Sequence, residues 1–293
     1  MKLIKSSYNI IEQSPGIDGI YKIIEQAGRT CYKSEDKITE TSAKEFVDRM
    51  IRSGHGAMLE HGTVYLHIEF TSKEAYFVDE LALKYHNESH TKALRVRDIQ
   101  TEPQGKQHAY ITTNLRVLVE NNWLDDLKYI CEPTEFHEKR ITVKFICDRG
   151  VSHEFVRHRV FSFAQESTRY CNYSKDKFDN EITYIIPSWM SDGQKNMSLE
   201  DRDICGNTYA EVCFKSNLIQ NEKTYFTLLA EGWKPQQARA VLPNALKTEL
   251  VMTGFESDWK HFFKLRDDIA AHPQARELAE PLHKEFISRG YIK

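Results

Sequence analysis

No stretch of the chain runs for about 18 apolar residues, so nothing in it reads as a membrane-spanning helix. The opening MKLIKSSYNIIEQSPG has too short an apolar segment for a secretory signal. The six cysteines (Cys31, Cys131, Cys147, Cys171, Cys205, Cys213) include no CxxC pair, and they read as reduced thiols of a cytoplasmic protein. An excess of charge of either sign is also missing, with 40 Lys and Arg against 43 Asp and Glu. The formal net charge is −3, whereas a general nucleic-acid binder is usually more basic, because its affinity comes from neutralising phosphates. There is no GxGxxG, no GxxxxGK[ST] and no GxSxG, which removes a dinucleotide fingerprint, a P-loop and a hydrolase elbow. His153-Glu154 followed by His158 is not a zinc HExxH: histidines five apart lie about 140° around a helix and cannot share a metal.

What is present is an ordinary globular composition, 40% hydrophobic and 28% charged over 293 residues, enough for a substantial core in one or two domains. A helix is expected around Ile17 to Gly28. Residues 41–53 form a second, with Ala43, Phe46, Val47, Met50 and Ile51 at helical spacing, a capping box of Ser42 and Glu45, and Gly54 as its stop. Val64, Leu66, Ile68 and Phe70 alternate with polar residues and predict a half-buried strand. Residues 71–140 read as helices and loops, one helix carrying Ala75, Val78, Leu81, Ala82 and Tyr85, another Leu115, Leu118 and Val119. His86 and His90 are four apart without a third ligand, so they read as a solvated face. ITVKFIC (141–147) alternates again and is expected to pair with 63–70. Further strands are expected at 181–187 and 247–253. Ser188 to Arg202 reads as a loop with a short helix, and 204–231 as a long helix ending at Gly232. Pro235 starts a helix that Pro243 must end; Trp259, Phe262 and Phe263 line one side of another; Pro273 opens the last, with Leu278, Leu282, Phe286 and Ile287.

The chemistry concentrates in residues 149–170, RGVSHEFVRHRVFSFAQESTRY, which hold four arginines and no lysine. The planar guanidinium fork suits two-pronged recognition of phosphate or a pyrimidine edge, and the interleaved aromatics offer faces for stacking. Ser152 is a candidate N-cap for a helix reaching Arg159. On such a helix Arg157 and Arg159 would point about 200° apart, at about 100° per residue. Two arginines facing apart suggest two ligands, or one ligand from each of two subunits. Val160 to Gln165 then reads as a loop. In the preceding part of the chain, Arg29 reads as a surface arginine.

Arg157-His158-Arg159, seven residues, then Ser167 resembles the signature of flavin-dependent thymidylate synthases, and Arg169 and Tyr170 fit its continuation. Glu60-His61 ahead of a strand, ARAVLP (238–243) and HFFKLR (261–266) are similar to that family as well. The resemblance covers about residues 27–70 and 141–287. It implies an α+β fold, an antiparallel sheet packed with helices, as a single domain over 1–293 with a helical and loop insertion at about 71–140. It implies reductive methylation of dUMP to dTMP, with 5,10-methylenetetrahydrofolate giving the carbon and FAD relaying hydride from NADPH, in a homotetramer with shared sites. Carried over residue by residue, the dUMP set is Glu154, Arg157, Gln165, Glu166, Ser167, Thr168, Arg169, Arg239 and Arg266, with Arg266 catalytic. The FAD set is His61, Thr63, Arg157, His158, Arg159, Gln165 and His261; no metal is implied. The chain departs from the family at His153-Glu154, where many members have Arg-Gln, at Gln165, where Glu is frequent, and at Phe255 and Ser257, where Asn and Arg occur. None of the cysteines sits in a Pro-Cys-His setting, so the resemblance implies no cysteine nucleophile; Cys147 and Cys213 lie in apolar patterns, and Cys171 reads as a packing residue. Two other readings remain open: a flavoprotein acting on another nucleotide, and a single-stranded nucleic-acid binding module using the arginine–aromatic stretch.

Overall fold

A computed structural model describes residues 1–70, 83–97, 107–190 and 208–293. Its fold is α+β. Nine strands form three sheets among the described residues: β1 (Lys2–Ile4), β2 (Ser7–Ile11), β3 (Thr63–Phe70), β4 (Lys92–Arg97), β5 (Gln107–Asn114), β6 (Arg140–Asp148), β7 (Ser162–Gln165), β8 (Thr183–Ile185) and β9 (Lys247–Phe255). The central sheet is antiparallel, in the order β2-β6-β9-β7; a second antiparallel sheet runs β3-β5-β4; β1 and β8 form a short parallel pair.

The alternation in ITVKFIC builds the central core. Ile141, Val143, Phe145 and Cys147 are all buried, together with Leu250 and Met252 of β9, against helices Glu256–Arg266 and Pro273–Ser288. Trp259, Phe262 and Phe263 of the first of these helices are buried, as their spacing predicts, and the indole nitrogen of Trp259 donates to the Ile141 carbonyl over 3.1 Å. Leu278, Leu282 and Phe286 of the second helix are buried, whereas Ile287 is exposed. A second core lies between helices Gly16–Tyr32 and Ser42–Arg52 and the sheet of β3 and β5. A third joins β1 and β8 to helix Tyr209–Ala230 and the short helix Pro235–Ala238. Gly54 and Gly232 follow helix ends at φ values of +68° and +90°, a region that costs other residues strain.

Several expectations are corrected. β6 pairs with β2 and β9, not with β3: two alternating strands carry no information on which partner each takes. β3 pairs instead with β5 at every position from Thr63↔Asn114 to Phe70↔Gln107. The stretch 71–140, read as helices and loops, therefore contains two strands, and Leu115–Glu120 is the helix found where one was expected. The other predicted helix there falls mostly on 71–82, outside the described residues, as do residues 191–207 with Cys205. The Ser42–Glu45 capping box does not form. Thr41 is the N-cap without a side-chain bond, and Ser42 Oγ donates to Glu25 Oε2 over 2.8 Å while accepting from the Thr39 amide. His90 is not on a helix with His86; it has φ +53° and bonds the Val160 carbonyl.

Candidate functional site

The central sheet positions the basic stretch. As β6 ends, the Asp148 carboxylate accepts from the Val151 amide over 2.6 Å and caps a helix that runs Arg149–Phe155. The cap is Asp148, not Ser152, and the helix stops before the arginine pair. Phe155 ends it, fully buried between Phe145 and Phe262 with ring centroids 5.0 Å from each. Arg157 and Arg159 sit on the turn that follows, both exposed, so a helical angle between them does not apply. Residues 162–165, read as loop, are β7, antiparallel to β9. Phe161 and Ala164 are buried, and an apolar strand this short has no sequence signal separating it from a loop.

His158, between the two arginines, points inward and is buried. Its Nε2 accepts from Arg266 Nε over 3.1 Å. Arg266 ends its helix with all three nitrogens engaged. Nη1 donates to Glu154 Oε2 over 2.6 Å and Nη2 to the Glu154 carbonyl over 2.8 Å. Burial, then the charges of Arg266 and His261, hold the His158 pKa down to about 4, so it is a neutral acceptor near neutral pH. The ring of His261, exposed, lies 6.1 Å from that of His158. Glu154, His158, His261 and Arg266 thus form one group drawn from two distant segments.

The end of β7 and the residues after it divide between surface and interior. Gln165 Nε2 donates to Ser152 Oγ (2.8 Å) and Thr248 Oγ1 (3.2 Å), so its amide is engaged within the chain. Glu166 is buried and accepts from Lys247 Nζ over 2.9 Å; burial raises its pKa, and Lys247 pulls it back. Lys247 also reaches Glu249, which Lys33 and Lys144 contact as well. Burial would raise the Glu249 pKa, but these three lysines hold it well below the usual carboxylate range. The Ser167 amide donates to the Cys31 carbonyl over 3.0 Å, and Ser167 Oγ accepts from the Arg169 amide over 3.3 Å. Thr168 Oγ1 accepts from Arg239 Nη1 over 3.0 Å. Arg157, Arg159, Arg169 and Arg239 are exposed and have no carboxylate partner among the described residues.

His61 and Thr63 are not at this surface. His61 is fully buried; its Nδ1 bonds Thr253 Oγ1 over 2.8 Å, while its Nε2 makes no hydrogen bond. Burial, then Arg140, lowers its pKa to about 4. Thr63 exchanges two backbone bonds with the Gln13 side chain and borders a separate cavity of about 240 Å³ with Tyr65 and Arg140. Sequence reasoning missed Arg140, which is buried and donates to the Glu60 carbonyl (2.8 Å) and Ser162 Oγ (2.9 Å). It also missed Glu249. The available signal was a charged residue at the edge of one apolar strand pattern, Arg140 before 141–147, and inside another, Glu249 within 247–253. Arg29 is buried rather than superficial, bonded to Glu25 and 4.8 Å from the Phe46 ring centroid. Cys213 is exposed despite its apolar neighbours, on a helix whose buried face is Leu218, Glu222 and Tyr225. Cys171 is fully buried, and burial, with Glu166 nearby, pushes its thiol up to about 12. Among the described residues no three His, Cys, Asp or Glu side chains are grouped to hold a metal, and no helix is long and apolar enough to cross a membrane.

The family described as "Thymidylate synthase complementing protein" matches residues 11–76 and 85–289. A flavin-dependent thymidylate synthase of Mycobacterium tuberculosis is 32% identical over 133 residues, 45% of this chain and 50% of that protein. One of Pyrococcus abyssi is 29% identical over 147 residues, 50% and 54% of the two chains. One of Corynebacterium aurimucosum is 24% identical over 263 residues, 88% and 72%. The chain spans about half the length of the first curated relatives it matches. Among solved structures, the UMP/dUMP methylase PolB of Streptomyces cacaoi, bound with 5-Br dUMP, aligns over 98% of this chain and 93% of its own with 15% identity and a TM-score of 0.41.

Proposed function

Because this chain belongs to the thymidylate synthase complementing protein family, we propose that it converts dUMP to dTMP by reductive methylation, with 5,10-methylenetetrahydrofolate as carbon donor, FAD as cofactor and NADPH as reductant. The observation that carries the reading is a convergence. Arg239 and Arg266, from two different C-terminal segments, reach Thr168 after the Arg157-His158-Arg159 turn, and Glu154 before it with His158 within it, respectively. Cations and hydroxyls from three segments then surround one stretch of chain, as an anionic nucleotide requires.

In this reading Arg157, Arg169 and Arg239, with Ser167 and Thr168, receive the dUMP phosphate. Arg266 stands at the pyrimidine ring. C5 of uracil becomes nucleophilic as negative charge develops around N3 and O4, and a guanidinium fixed at three points stabilises that charge without having to reorganise. Glu154 is its counter-ion and sets how much of its field the substrate feels. His158, neutral, orients the guanidinium without adding a competing charge. When bound, FAD supplies the hydride relay. The donor set fits its phosphate-bearing part, since Arg157, Arg159 and His261 are exposed. His61 and Thr63 are buried away from that surface, and Gln165 is tied to Ser152 and Thr248 behind it. The same reading makes the protein a cytoplasmic homotetramer with sites shared between subunits, acting on small molecules.

The test is dTMP formation from dUMP, methylenetetrahydrofolate, FAD and NADPH, read beside the visible spectrum of the purified protein. A yellow protein, or one that takes up FAD stoichiometrically, and turnover requiring all four components are expected. A colourless protein with no FAD-dependent thermal shift and no dTMP would sink the reading; tight, salt-sensitive binding of oligonucleotides would replace it with nucleic-acid recognition.

A further inference from the structure

One face of the molecule gathers positive charge that the proposed chemistry does not use. A cleft of about 620 Å³ opens between the end of helix Gly16–Tyr32, the turn after it, helix Ser42–Arg52 and the loop around Lys175. Six cations line it (Arg29, Lys33, Lys37, Arg49, Lys175 and Lys177) against one acid, Asp36. The chain as a whole carries a net charge of −3, so this is a local departure from its average. Two of the six are neutralised from within: Arg29 by Glu25, and Lys33 by Glu249 and Glu35. Lys37, Arg49, Lys175 and Lys177 are exposed and have no carboxylate partner among the described residues. Lys177 Nζ donates to the Lys33 carbonyl over 3.0 Å, which ties the two walls together and holds a cation at the cleft. Like charges lining one cleft repel, and a concave wall focuses their field onto whatever anion enters.

The cleft also adjoins the arginine stretch. Ser167 is hydrogen-bonded to Cys31, and the Tyr170 ring lies 5.4 Å from that of Tyr32, a lining residue. A ligand that passes beside the arginine stretch at Tyr32 and Tyr170 can therefore lay its other end along the lysines. Mobile ammonium groups outnumber guanidinium forks here, which suits a chain of successive charges better than one planar group. We propose that this cleft binds the polyanionic end of a co-substrate, a run of carboxylates or phosphates. That the ligand is a co-substrate rests on the function proposed above; that the site takes a polyanion does not.

The test uses the full chain with two probes, a linear γ-glutamyl tetramer and inorganic tripolyphosphate, titrated calorimetrically at two salt concentrations, with dUMP titrated into the same samples. Lys175→Gln/Lys177→Gln and Arg49→Gln alter exposed side chains, and their unfolding midpoints are recorded as controls. One probe is expected to bind the wild-type protein, more weakly at higher salt. Each removed cation should cost about three- to ten-fold in its affinity, with dUMP affinity unchanged. Which probe binds distinguishes an oligocarboxylate from an oligophosphate ligand. Absence of binding by both, or binding lost in Arg239→Ala and kept in the cleft variants, would overturn the proposal. If dUMP fails to bind while a probe binds and the cleft variants lose it, the proposed activity falls and the polyanion site stands.

Discussion

Arg266 and Glu154, 112 residues apart in the chain, meet twice: Nη1 donates to the Glu154 carboxylate over 2.6 Å and Nη2 to the Glu154 carbonyl over 2.8 Å. The first contact is an ion pair, which in the proposed reaction would set the charge available to a substrate. The second is a backbone tether, which a change of the Glu154 side chain leaves in place. Role and position can therefore be separated by mutation.

Arg266→Ala removes both contacts and the donor to His158, and is expected to abolish dTMP formation and to lower stability by about 1–3 kcal/mol. Glu154→Gln keeps the tether and removes the counter-charge. It is expected to fold with an unfolding midpoint close to that of the parent and to change turnover. Chemical denaturation and steady-state kinetics on both variants check this. Full activity in Arg266→Ala would refute a catalytic role for the guanidinium.

The exposed turn makes a second prediction. Arg157→Ala is expected to weaken dUMP binding chiefly and Arg159→Ala chiefly FAD binding, each by about 1.5–3 kcal/mol for a lost charge-assisted contact. Equilibrium titration of each ligand against each variant reads this directly, and equal losses of both ligands in both variants would remove the division of labour. Because neither side chain is packed, neither variant should shift the unfolding midpoint appreciably.

Cys171 is buried with a thiol pushed up to about 12, which leaves almost no thiolate near neutral pH. Cys171→Ser is expected to retain most of the dTMP-forming activity and to lose about 1 kcal/mol of stability from placing a hydroxyl among Tyr173, Ile182 and Tyr184. An inactive Cys171→Ser protein that still folds and binds FAD and dUMP would point to a covalent mechanism instead.

Two histidines, His61 and His158, are held to pKa values of about 4 in the folded chain, against about 6.5 when unfolded. Above pH 6.5 both states are neutral and nothing is lost. As pH falls from about 6.5 towards 4 the unfolded chain takes up protons that the folded chain refuses, so stability falls, by up to roughly 3 kcal/mol for the fully buried His61. Urea denaturation across this window is expected to show the decline, and His61→Gln is expected to flatten it. Glu60 contributes in a lower window. Burial would raise its pKa, but bonds from His90 and Arg116 hold it at about 2, so its stabilisation is lost only as pH drops below about 4.5.

The sequence by itself determined the local elements and the identity of the polar groups. Periodicity located the strands 63–70 and 141–147 and the aromatic face of helix 256–266, because burial of one face leaves a pattern of period two or 3.6 in the chain. The arginine stretch was legible because a run rich in Arg without Lys is costly to place anywhere but near anions or water. Tertiary structure decided the pairings. That β6 joins β2 and β9, that β5 returns against β3, and that residues 162–165 close the central sheet all depend on contacts between segments whose patterns are interchangeable. It also decided which polar groups face inward. Arg157, His158 and Arg159 are consecutive, yet only His158 is buried, because the helix stops at Phe155 and the turn places one residue of the three against Phe161 and Phe262. Lys247 reaches Glu249 from two places away on the same strand, a spacing the chain does show, but Lys33 and Lys144 reach Glu249, and Glu154 and His158 reach Arg266, only once the sheet has formed.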